Sequence, residues 1–200
     1  HLLFDDCKIN SVELLPPDVN KSVNKFVPLN NNQILYGLGA IKGTGDSSID
    51  LILEERKNNG NFKSLFDFTL RLDLTKVNRR VVESLVRSGA FDKIEPNRAS
   101  LLASVSLAIK MAEQSKNQAR QEGLFGGSDI EAIELVEMNL WEEKNQLLEE
   151  KAALGFYFSG HLFSYYKKII RSFISTKLIN LKPRQESYLI AGIVSSVKYR

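Results

Sequence analysis

Two hundred residues, 43% apolar and 26% charged, describe an ordinary globular chain of one or two domains at about 150 residues per domain. One cysteine, Cys7, excludes a disulfide framework and an all-cysteine metal site. Two histidines, His1 and His161, exclude a multi-histidine site, and no apolar run is long enough to span a membrane. The net charge of +3 is unevenly spread. Residues 131–151 carry seven Glu and two Lys, whereas 163–200 carry eight Lys or Arg and one Glu, a basic stretch that suits nucleic acid or an acidic partner.

The first 33 residues read as irregular, extended chain. Pro16-Pro17 blocks a helix, Leu15 before it is pushed toward extended backbone, and Pro28 and Asn30-Asn31-Asn32 add further punctuation. HLLFDDCK lacks the basic start of a signal peptide, so a cytoplasmic protein is expected. A short apolar segment, ILYGLGAI, leads into the turn Lys42-Gly43-Thr44-Gly45. Asp46-Ser47-Ser48 is expected to cap the helix that follows, with Ile49, Ile52, Leu53 and Arg56 on one face and an end at Asn58-Asn59-Gly60. The pattern then repeats. Apolar residues 64–72 are followed by the turn DLTKVN and by a helix capped by Asn78, striped by Val81, Val82, Leu85 and Val86 and stopped by Gly89.

Residues 97–120 predict the clearest helix, lined by Leu101, Val105, Ala108, Ile109 and Ala112 and fraying from Glu113. Another is expected over 139–153, with Leu140, Leu147 and Leu148 apolar. A short basic helix is expected at 164–173 and a strand from Tyr188 to Tyr199. The chain starts with His1 and stops within that strand, so a segment of a longer protein is expected.

Two short segments carry chemistry. The Gly43-Thr44-Gly45 turn between two helical segments resembles a helix-hairpin-helix motif, and the architecture recurs at the second turn, which lacks the Gly-x-Gly. Glycine lets the backbone approach a phosphate, and the next helix start offers unpaired N–H groups at a positive dipole end. Lys42, Lys76, Arg79 and Arg80 flank the turns as cations for phosphate, the plain alternative being solvated side chains. Gln121-Glu122-Gly123-Leu124-Phe125 places two large apolar side chains in a glycine-flanked polar stretch. They suit docking into a partner's pocket with Gln121 fixing register, unless they fold back onto their own core. Catalysis is poorly supported. Asp5 and Asp6 would point apart on extended chain, Asp46 and Asp50 face solvent, and neither Cys7 nor His161 has a partner for nucleophilic work. His161 reads as a packed or capping residue, and Trp141 and the aromatics of 156–166 read as core.

YGLGAIKGTGDSSI (36–49) resembles the C-family replicative DNA polymerases of bacteria. So do LPPDVNKS (15–22), VNRRVVESLVRSGAFD (77–92), NRASLL (97–102) and LGFYFSGHLF (154–163), although Leu162 stands where the family usually has proline. The resemblance implies a mainly α fold, a tandem helix-hairpin-helix domain with extra helices that ends in the first strand of an OB-fold. It implies a tail of the fingers region at 1–33, a hairpin and clamp-binding domain at 34–126, a helical connector at 127–182 and the start of the OB-fold at 183–200. Duplex DNA would be held by Lys42, Gly43, Thr44, Gly45, Lys76, Asn78, Arg79 and Arg80, and a sliding clamp by Gln121, Leu124 and Phe125. Catalytic aspartates and their Mg2+ would lie in a palm outside this chain, leaving no catalytic or metal residue here. Primer-template DNA, the clamp and other replicase subunits are the implied partners, with no membrane. The alternative is a stand-alone helix-hairpin-helix module, non-catalytic, that binds DNA or serves as an interaction scaffold.

Overall fold

The computed structural model describes residues 2–121, 134–170, 172–174, 176, 180–183, 187–194 and 197–198. It separates into two compact units, His1–Phe158 and Ser159–Arg200.

The first unit is mainly helical. It contains α1 (Leu2–Ile9), a three-stranded sheet of β1 (Glu13–Leu15), β2 (Val27–Asn30) and β3 (Gln33–Leu35), and a 3-10 turn (Leu38–Ala40). The helices α2 (Asp46–Asn59), α3 (Leu65–Arg71), α4 (Arg79–Arg87), α5 (Arg98–Gln121) and α6 (Glu143–Leu154) follow. The sheet order is β1-β3-β2, with β1 parallel and β2 antiparallel to β3. Irregular chain was expected over 1–33, so α1 and this sheet correct that expectation. An eight-residue helix is marginal alone. Tertiary contact holds α1, since the Phe4 ring lies 4.7 Å from Phe156 and 6.0 Å from Phe158. Pro28 is tolerated because β2 is an edge strand.

The expected stripes form the core. Ile49 and Ile52 of α2, Val81, Val82, Leu85 and Val86 of α4, and Leu101, Val105 and Ala108 of α5 bury together around Phe62, Phe68 and Phe91. Phe68 packs edge-on against both other rings. Gly60 ends α2 and Asn78 caps α4, accepting from Val81 N–H at 3.3 Å. α5 does not fray at Glu113 but continues to Gln121. α6 begins at Glu143, and Leu140 and Leu148 are exposed while Leu147 is buried. Phe156 and Phe158 gather around Tyr36, as expected of core aromatics. Burial pushes the Tyr36 hydroxyl up to about 12, and it donates to Ala40 O.

The second unit contains α7 (Leu162–Ile170), at whose start His161 Nδ1 accepts from Phe163 N–H at 3.0 Å. The strand expected at 188–199 does not form among the described residues, 188–194 and 197–198. A strand persists only where a neighbour pairs its backbone groups, and no such pairing is present among the described residues of this unit.

Candidate nucleic-acid interface

The two hairpins are built alike. Each α-helix start follows a tight turn and leaves its first amides open. At α2 the cap residue is Gly45, without a side-chain cap, so Asp46-Ser47-Ser48 does not cap as expected. Asp46 instead accepts from Asn24 Nδ2 at 3.2 Å, and Ser48 Oγ donates to Lys76 O at 2.8 Å. The N–H groups of Gly45, Asp46 and Ser47 have no acceptor among the described residues, and all three residues are exposed. At α4, Asn78 occupies its own third amide, which leaves the N–H groups of Asn78, Arg79 and Arg80 open at equally exposed positions. Two helix starts with three free donors each can receive anionic oxygens at the positive ends of their dipoles.

The turns are also fastened to each other. Besides the Ser48–Lys76 bond, Gly43 sits at φ +91° against α4: a Cβ there would lie 2.8 Å from Ser84 Oγ and 3.3 Å from Arg80 Nε. A Gly43→Ala substitution is therefore expected to cost about 1–2 kcal/mol from the left-handed backbone alone. Equilibrium urea unfolding should show that loss together with a weakened fit between the turns.

The expected site residues divide on inspection. Thr44 turns inward, its Oγ1 within 2.7 Å of Ile41 O and 3.0 Å of Leu38 O, so it shapes the turn and offers no outward ligand. Gly43 packs closely against Ser84 and Arg80 of α4. The Lys42 side chain lies over Gly155, at the C-terminal end of α6, and its N–H donates to Ala153 O at 2.8 Å. That is the negative end of a helix dipole, a favourable seat for a cation. Arg79 pairs with Glu83 at 2.6 Å on an exposed helix face, a contact worth little. Lys76 and Arg80 are exposed, and neither forms an ion pair among the described residues. Asp46 and Ser47 are the helix-start donors that the turn-and-helix pattern implied without naming them. The residue before them is glycine, which caps without a side chain and so leaves the amides open.

Gln121 is the last residue of α5. Leu124 and Phe125 lie outside the described residues. Among the described residues no three His, Cys, Asp or Glu are grouped to hold a metal ion, and no helix is long and apolar enough to cross a membrane.

A helix-hairpin-helix family model matches residues 11–101, the segment that contains both hairpins. Over 98% of its length the chain is similar to curated DNA polymerase III alpha subunits. Identity is 45% with that of Neisseria meningitidis serogroup B over 197 residues, 39% with that of Vibrio cholerae over 208 and 36% with that of Escherichia coli over 205. The chain spans 17% of the Neisseria protein and 18% of the other two. The similarity to DNA polymerase III alpha subunits thus runs along almost the whole chain.

Proposed function

We propose that this chain, related along nearly its whole length to DNA polymerase III alpha subunits, is the part of a cytoplasmic replicative DNA polymerase that grips duplex DNA and ties the enzyme to its sliding clamp. The observation that carries the grip is the pair of fastened helix starts, each with three open, exposed amides, beside Lys76 and Arg80. Helix-start amides hold the phosphate backbone and read no base edges, so binding is sequence-blind. Gln121, Leu124 and Phe125 supply the clamp contact, and tethering raises the effective concentration of DNA without a new catalytic group. Nucleotide addition, with Mg2+ on palm carboxylates, belongs to the rest of the polymerase, and no step of it is assigned to residues of this chain.

Fluorescence anisotropy with two primer-template duplexes of unrelated sequence tests this. Both should bind equally, and Lys76→Ala/Arg80→Ala should reduce the slope of log affinity against log salt by about 2, one phosphate contact per cation. A strong preference for one duplex, or an unchanged salt slope in the variant, would refute the grip. The reading of a binding scaffold without DNA affinity would be favoured by no binding at all.

A further inference from the structure

The stretch between the clamp-type pentapeptide and α6 is held in an unusual way. Val136 N–H donates to Ser104 Oγ at 2.8 Å and Met138 N–H to Ser100 Oγ at 3.0 Å. Met138 O accepts in turn from Asn97 Nδ2 at 2.8 Å and from Ser100 Oγ at 3.4 Å. Two residues of extended chain advance about 6.8 Å and four residues of helix about 6 Å, so this pairing keeps step only if the segment is extended and antiparallel to α5. Ser100 and Ser104 are buried, and their hydroxyls hold this segment to the helix.

An extended chain presents the N–H and C=O groups of successive residues to opposite edges. The edge of Val136 and Met138 is taken by α5. The opposite edge, that of Glu137 and Asn139, makes no hydrogen bond among the described residues, and both residues are exposed. Val136, Met138 and Leu140 form an exposed apolar row at the two-residue period of a strand. Glu134, Glu137, Glu142 and Glu143 add four exposed carboxylates that form no ion pair among the described residues.

We propose that residues 134–141, just before α6, are a docking strand for an extended segment of a partner protein in which lysine or arginine alternates with apolar residues. The partner segment pairs with the open backbone edge, lays its apolar side chains on Val136, Met138 and Leu140, and sets its cations against the carboxylates. Backbone pairing supplies affinity, and the alternation of charge and apolar contact supplies selectivity.

The test uses the full chain and two terminally blocked probe peptides, four Lys-Val repeats and four Glu-Val repeats. The Lys-Val peptide should bind and the Glu-Val peptide should not. Amide hydrogen exchange should slow at Glu137 and Asn139 and stay unchanged at Val136 and Met138. Asn139→Pro removes only an open-edge donor and should weaken binding by about tenfold with the thermal melt unchanged. Glu137→Lys/Glu142→Lys should reverse the preference between the two peptides. Absence of Lys-Val binding, slowed exchange at other amides only, or full binding by Asn139→Pro in a variant that melts as wild type would overturn the proposal.

Discussion

Arg98→Met is expected to destabilise the chain by about 3–5 kcal/mol, the range for breaking one side of a buried ion pair. Arg98 is 8% exposed and Glu150, 52 residues later, is 1% exposed. The guanidinium donates to Asp92 through Nε at 2.8 Å and through Nη2 at 2.6 Å, and to Glu150 Oε1 through Nη1 at 3.1 Å. Burial works against its charge, but the bonds and charges of Asp92 and Glu150 outweigh that and hold its pKa above the ordinary value. The second oxygen of Glu150 accepts Phe158 N–H at 3.1 Å, so the same carboxylate fixes the aromatic segment that closes on α1. Removing the guanidinium leaves that carboxylate buried without its cation. Urea unfolding measures the loss. Arg98→Met/Glu150→Leu should recover part of it, because the buried carboxylate that faced the guanidinium is removed with it. A double variant weaker than Arg98→Met by the full cost of Glu150→Leu would show that the two residues do not act together. Gly89 belongs to the same site. At φ +84° its missing Cβ leaves the space that the Arg98 guanidinium fills.

Leu124→Ala/Phe125→Ala is expected to weaken binding to a purified bacterial sliding clamp by about tenfold or more, as truncation of paired apolar anchors does. Duplex affinity should not change, since the hairpin amides lie on other elements. Surface plasmon resonance against immobilised clamp, beside anisotropy on duplex, separates the two. Equal loss of both activities would contradict the division of labour between the hairpins and the pentapeptide. Clamp affinity equal to that of the wild type would remove residues 121–125 from the tether.

What could be read in advance were features fixed by neighbours in the chain. The Asn78 cap, the α4 stripe, the Gly60 and Gly89 stops and the face of α2 all follow from residues within a few positions of one another. The misses follow from distant partners. α1 is held by Phe156 and Phe158, and β1 pairs with a strand about 20 residues later. The place of Lys42 over the end of α6 was not legible, because that helix lies more than 100 residues further on. The close fit of Gly43 against Ser84 and Arg80 was likewise hidden, because those residues belong to the second hairpin. The open donors at 45–47 and 78–80 lie at the helix starts where the turn-and-helix pattern implies them.

The most direct test of the duplex grip is backbone amide exchange of the full chain with and without a primer-template duplex, read residue by residue. Exchange should slow at Gly45, Asp46 and Ser47 and at Asn78, Arg79 and Arg80, with both groups responding at the same DNA concentration. Protection confined to the basic stretch 163–200, with these six amides unchanged, would contradict the account and move DNA binding to the second unit.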